Sequence, residues 1–254
     1  MTGAAAAAAG AVGRAPELAG QTVVVIGGSS GMGLETARRA MSEGADVILV
    51  GRNRDRLKQA AQELGAQRTA AFDATDGAAV AGFFQDLTAP IDHVMVTAGG
   101  PHYEPLLKMD ADQVRKALGE HAALMVSVAR SAVAAVRPGG TLIFMGDAGA
   151  RHVAPGLGIA SAAAAALPPL TAALALELAP VRINLIAAGF IDSPLSARLL
   201  GDGLAERRRQ LRATLPIGRV VEPADVAALA VHLMINTALT GATYDIDGGQ
   251  QYVS

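Results

Sequence analysis

Thr22-Val23-Val24-Val25-Ile26, followed by Gly27-Gly28-Ser29-Ser30-Gly31-Met32-Gly33, is the stretch on which the reading of this 254-residue chain turns. The opening residues are all β-branched, stiff at χ1 and suited to extended backbone, so they predict a buried strand. After them Leu34, Ala37, Ala40 and Met41 recur at helical spacing and predict a helix over Gly31–Glu43. Glycines between a strand and a helix have a physical use. They allow a tight turn, let the backbone approach a pyrophosphate closely, and leave the N–H groups and positive dipole end of the helix facing that anion. A glycine cluster alone is often only a turn; its place between strand and helix gives this one weight.

Working outward, short apolar runs alternate with helical patterns. Asp46–Val50, Thr69–Phe72, Ile91–Thr97, Thr141–Met145, Val181–Ala187 and Thr243–Asp247 read as further strands. Asn53–Leu64, Asp76–Leu87, Ala111–Val136, Ala160–Leu178 and Pro223–Asn236 read as helices, with Pro168-Pro169 expected to kink or break the fourth of these. Strands separated by helices imply βαβ units, and near-continuous apolar strands imply helices over both faces. The expected fold is α/β: a single Rossmann-type doubly wound domain over residues 17–254, with a seven-stranded, mostly parallel sheet. Residues 1–16, rich in Ala and Gly, are expected to form a disordered tail; the rival reading, a signal peptide, lacks a basic n-region.

Composition excludes several classes. With no cysteine, there is no disulfide framework, Cys-based zinc site or thiol nucleophile, and no metal site is expected. A net charge of -2 argues against a reader of nucleic acid or membrane surfaces. No apolar run is judged to reach the ~18 residues of a membrane span, so a cytoplasmic protein is expected.

The spacing Gly27-x-x-x-Gly31-x-Gly33 resembles the phosphate loop of the short-chain dehydrogenase/reductase family, with Ile26 where that family usually has Thr. Further segments match it: Asp73 after the third strand, Thr97-Ala98-Gly99 after the fourth, Arg182-Ile183-Asn184 in the sixth, and Asp247-Gly248-Gly249 near the end. The resemblance implies a nicotinamide dinucleotide held by Gly27, Ser29, Ser30, Gly31, Met32 and Gly33. It places Asp73 at the adenine ring and adds Ala74, Ala98, Gly99, Gly189, Ile191 and Ser193 as further cofactor contacts. It also implies a homodimer or homotetramer and a substrate lid over residues 189–215. NAD-specific members carry an acidic residue at the end of the second strand. Here that place is Gly51, followed by Arg52 and Asn53, and a guanidinium without a competing carboxylate favours the 2′-phosphate of NADP(H) over NAD(H).

The catalytic set implied by the resemblance is a Ser, a Tyr with a Lys four residues later, and an Asn on the preceding helix. The corresponding positions hold Asp147, Gly158, Ala162 and His121. The loss does not hinge on alignment. The chain has three tyrosines and three lysines, no tyrosine is followed four residues later by lysine, and no lysine lies beyond Lys116. Asp147, His152 and Tyr103 are the candidate substitutes, an Asp–His pair being able to act as acid or base. The plainer reading is that Asp147 caps a turn and the histidines are exposed, with His93 and His232 structural. Arg207-Arg208-Arg209 is expected to be a solvated helix face. Three functions stay open, the first two being an NADP(H)-dependent oxidoreductase of a carbonyl or alcohol with a non-standard proton donor, and a cofactor-binding homologue without redox turnover, such as a sensor, partner subunit, lyase or isomerase. A scaffold that no longer binds nucleotide is the third.

Overall fold

The computed structural model describes residues 16–151 and 154–253. The first strand, β1 (Thr22–Ile26), leads into α1 (Gly31–Ser42), then β2 (Asp46–Gly51), α2 (Arg54–Leu64), β3 (Arg68–Ala71), α3 (Gly77–Gln85) and β4 (Ile91–Val96). The second half runs α4 (Ala111–Ala132), β5 (Val136–Asp147), α5 (Gly158–Ala165), α6 (Leu167–Glu177), β6 (Arg182–Ala188), α7 (Pro194–Leu200), α8 (Leu204–Thr214), α9 (Pro223–Ile235) and β7 (Thr243–Ile246). The strands form one sheet in the order β3-β2-β1-β4-β5-β6-β7. Every pairing in it is parallel, so the sheet is wholly rather than mostly parallel.

The period of two along each strand divides the core. Val24 and Ile26 of β1 pack with Val94, Leu142, Phe144 and Ile183 under Val80 of α3, Met125 and Val128 of α4, and Leu167 of α6. Val23 and Val25 point to the other face, with Leu49, Met95 and Ile143, under Ala37 and Ala40 of α1, Leu57 of α2 and Val226 of α9. The alanine excess has a use there: fully or nearly buried Ala37, Ala40, Ala227 and Ala230 let α1 and α9 lie close together. The order reverses at β1, between β2 and β4, and a crevice opens beyond the carboxyl ends of the strands.

Several boundaries differ from the sequence reading. The fourth long helix stops at Ala132 rather than Val136, because Ala135 N–H closes a turn on the Ala132 carbonyl and Val136 already pairs with Ile91. The fifth strand is correspondingly long, with a register irregularity between Ile91 and His93. The apolar stretch 158–177 does break, at Ala166, and Pro168 and Pro169 fall in the first turn of α6, where the missing N–H has no helical partner to lose. By length and composition this stretch is a correction to the expected lack of a membrane-length run: Gly158–Glu177 has a mean hydropathy of 1.7 over a membrane-length window. In the fold it is two helices, one packed on α4 and the other on β6. The expected tail lies outside the described residues except for Pro16. Leu18, just after it, is fully buried, and its N–H donates to the Glu43 carbonyl.

The Arg182-Ile183-Asn184 segment is structural. The guanidinium of Arg182 donates to the carbonyls of Leu233, Met234, Asn236 and Leu239, closing the carboxyl end of α9. Asn184 Nδ2 adds a bond to the Leu239 carbonyl at 2.9 Å. His232 is exposed in the last turn of α9, its Nε2 beside Asn236. His93, 4% exposed within β4, is only half satisfied: Nε2 bonds Gln21 Oε1 at 2.6 Å, while Nδ1 is buried without a partner.

Burial pushes His93 from 6.5 down to about 4, Asp92 opposing and Arg182 adding to the shift. The native state therefore binds fewer protons than the unfolded chain between these values. Stability is intact above the unfolded value and declines as pH falls toward 4, by about 3 kcal/mol from this group. Urea melts at pH 7.5 and 4.5 should show this drop, and His93→Phe should reduce it.

Candidate active site

The glycine loop is pinned to the neighbouring strand, since Gly27 N–H and Gly28 N–H both donate to the Val50 carbonyl, at 2.9 and 3.0 Å. A Cβ on Gly33 would stand 2.4 Å from the Gly27 carbonyl oxygen, and one on Gly27, at φ +95°, would stand 2.3 Å from Thr97 Oγ1. Neither position admits a side chain, so α1 starts directly against the end of β1. Ser30 is the N-cap but its hydroxyl caps nothing, and the first turn of α1 carries no acidic residue. An exposed, uncapped helix start facing the crevice is the chemistry a pyrophosphate needs, and the cradle fits that group. The chain after β6 comes back over the loop: an ideal Cβ on Gly31 would lie 3.7 Å from Pro194 and 4.0 Å from Ser193.

At the far end of the crevice Gly51 closes β2, and Arg52 extends into solvent with 79% of its side chain exposed. Its guanidinium lies 3.7 Å from the Asp73 carboxylate. Asp73 is held below the usual carboxylate range chiefly by the Thr75 N–H, then by the Thr75 hydroxyl, with Arg52 adding to the effect. Ala74 beside it is buried. Three of the residues expected at the cofactor have partners within the chain. Asn53 spends its side-chain oxygen capping α2 through Arg56 N–H, at 2.9 Å. Ser193 caps α7 in the same way, and Ile191 buries its side chain while its carbonyl accepts from the Ser196 hydroxyl. The side chains of Asn53 and Ser193 are thus committed to helix starts, a role that spacing alone does not distinguish from ligand contact.

The catalytic corner gathers His121, Asp147, Gly158 and Tyr103. His121 reaches from α4 to stand beside Gly99, whose ideal Cβ would lie 3.7 Å from its Nδ1. Burial lowers its pKa, opposed by a hydrogen bond to the Met145 backbone. Asp147 ends β5; its Oδ1 accepts from Gly149 N–H at 2.6 Å, so it does cap a turn. It is also half-buried, and loss of water raises its pKa, with the Gly149 bond opposing. Tyr103 keeps 45% of its surface exposed, yet the protein around it withholds enough water from the phenol to push it up to about 12, the Asp147 charge adding to the shift. His102 is exposed, and His152 lies outside the described residues.

Gly158 opens α5, and the space over it is taken: an ideal Cβ there would lie 3.0 Å from Leu106 Cδ1. Leu106 belongs to the short helical turn Leu106–Lys108 in the loop between β4 and α4. A side chain from another loop thus lies over Gly158, and Ala162 is exposed. No signal in the sequence marked Leu106. Among the described residues no group of three His, Asp or Glu could hold a metal ion.

Residues 189–215, the expected lid, hold two helices, α7 and α8. Arg208 forks onto Asp192 at 2.8 and 2.7 Å, and Arg207 lies 5.9 Å from the Phe190 ring centroid. The arginine triplet is thus no uniformly solvated face: it fastens α8 to the segment after β6, and only Arg209, paired with Glu206, stays on the surface.

This arrangement is that of a dinucleotide-binding oxidoreductase domain. The family model described as Enoyl-(Acyl carrier protein) reductase matches residues 26–251, and the chain belongs to the short-chain dehydrogenase/reductase family. The galactitol 2-dehydrogenase (L-tagatose-forming) of Cereibacter sphaeroides is 31% identical over 247 residues, covering 91% of this chain and 95% of its own. The NADP-dependent (R)-specific alcohol dehydrogenase of Lentilactobacillus kefiri is 28% identical, covering 91% of this chain and 97% of its own. In structure, the chain is similar to the NADPH-bound short chain oxidoreductase of Pseudomonas aeruginosa PAO1 containing an atypical catalytic center: TM-score 0.81, 25% identity, 90% of this chain and 96% of that one.

Because an ideal Cβ on Gly158 would lie 3.0 Å from Leu106 Cδ1, Gly158→Tyr should push Leu106, 53% exposed, aside and destabilise the fold by no more than about 1 kcal/mol, the low end for overpacked sites. Adding Leu106→Ala should recover at least half of that loss, as read by denaturant melts of both variants.

Proposed function

We propose that this protein is an NADP(H)-dependent oxidoreductase of a carbonyl or alcohol in which Asp147 takes over proton handling from the missing Tyr–Lys pair. The observation that carries this reading is the pairing of an intact glycine cradle with a catalytic corner whose central titratable group is a half-buried carboxyl at the end of β5. The names of the Lentilactobacillus and Pseudomonas relatives, one NADP-dependent and one NADPH-bound with an atypical center, support it.

When bound, the nicotinamide gives or takes a hydride at the substrate carbon. Asp147, with its pKa raised by burial, keeps a larger protonated fraction than an exposed carboxyl, and in that form it donates a hydrogen bond, then a proton, to the substrate oxygen. Tyr103 has a different role. Without a neighbouring lysine its phenol is pushed up to about 12 rather than down, so it remains a neutral hydrogen-bond donor and is no base. His121, held by the Met145 backbone, positions the corner from the α4 side. Arg52 holds the 2′-phosphate once it turns from Asp73, a loose partner at 3.7 Å. A homo-oligomer belongs to the same reading, supported by exposed Leu118 and Val126 on α4 and Leu176 on α6.

Equilibrium titration of the cofactor is the first test. Arg52→Glu should weaken NADPH binding by about tenfold or more while sparing NADH. For turnover, the rate of carbonyl reduction should fall as pH rises past the raised Asp147 value, because the acid form is the donor. Asp147→Asn should lower kcat by about 100-fold and remove that pH limb. NADPH binding with no oxidation by any carbonyl offered would place the chain among cofactor-binding homologues without redox turnover.

A further inference from the structure

Six of the eleven large apolar side chains left exposed among the described residues lie on two segments. Tyr103, Leu106 and Leu107 lie on the segment between β4 and α4, with Leu107 fully exposed. Leu195, Leu199 and Leu200 lie on α7, a helix that buries none of its residues. Exposing a leucine carries a penalty unless something covers it, and clusters of this kind mark binding sites. The two segments border the crevice at different points: Leu106 packs over Gly158, and the first residue of α7, Pro194, stands over Gly31 of the glycine loop. They follow β4 and β6, the two neighbours of β5, so their roots are separated by about two strand spacings, ~10 Å. Asp147, at the end of β5, lies between those roots.

From this placement we infer the substrate class: a carbonyl compound or alcohol with a bulky or extended apolar body, clamped between the 103–107 segment and α7, with its one oxygen directed to Asp147. The inference rests on the proposed oxidoreductase reading. A polyol, the kind of molecule named for the Cereibacter relative, would bring hydroxyls against leucines that cannot hydrogen-bond them.

The test is equilibrium binding by calorimetry, using straight-chain 2-alkanones from 2-butanone to 2-undecanone, with galactitol as the polar comparison. Each is titrated into the full chain with and without saturating NADP+, the oxidised form leaving the ketones unreduced. Affinity should rise about two- to fourfold per added methylene until the chain outgrows the clamp, while galactitol binds no better than 2-butanone. Leu107→Ser combined with Leu199→Ser should flatten this dependence. Because neither side chain is buried, the melting temperature serves as the control that the fold is kept. An affinity that does not change with chain length, or galactitol binding more tightly than the longer ketones, overturns the inference. So does a serine pair that alters self-association and leaves ketone affinity untouched, which would make these leucines a contact between copies. Loss of NADP+ binding with the methylene dependence intact would instead defeat the cofactor reading and leave the apolar clamp standing.

Discussion

The contact between Gly33 and the Gly27 carbonyl governs the rest of the site. With only 2.4 Å to spare for a Cβ, α1 is brought directly against the end of β1 and its N-terminus is aimed into the crevice. The sheet order places that crevice where β1 separates β2 from β4, and Thr97 at the end of β4 closes the same contact through its hydroxyl. A larger side chain at either glycine would push the helix off the strand and turn its N–H groups away from the anion they can bind.

The catalytic corner shows how one substitution changes the electrostatics of its neighbours. A phenol beside an ammonium is driven toward ionisation. Here the tyrosine nearest the corner has a carboxylate for a neighbour instead, and burial and charge both hold it protonated. The Asp147 carboxyl moves the other way along the scale, its pKa raised by burial. Gly158 offers no side chain, and Leu106, from the loop between β4 and α4, lies over it.

Legibility differed between fold and site. Strand and helix patterns in the first half are clear because β-branched runs and glycines decide local backbone by sterics alone, and β1, β2 and β4 fall where the runs predict them. The end of α4 was not legible, since Val133–Val136 suits helix and strand alike and only pairing with Ile91 settles it. The lid arginines were misread because a charge run looks solvated until its partner is known, and Asp192 lies sixteen residues before Arg208. Asn53 and Ser193 satisfy both a cap and a ligand contact by residue type, and only geometry separates the two.

By itself, the sequence determined the strand–glycine–helix unit, the doubly wound class, the arginine in place of an acid after β2, and the absence of any Tyr–Lys pair. All of these are consequences of residue type at short spacing, where local sterics and charge suffice. Tertiary structure alone decided which side chain lies over Gly158, which carboxylate neighbours Tyr103, and that Pro194 stands over the glycine loop. Those facts depend on contacts between residues far apart in the chain, such as Leu106 with Gly158, which exist only once the sheet has set strand order and brought the loops to the same edge.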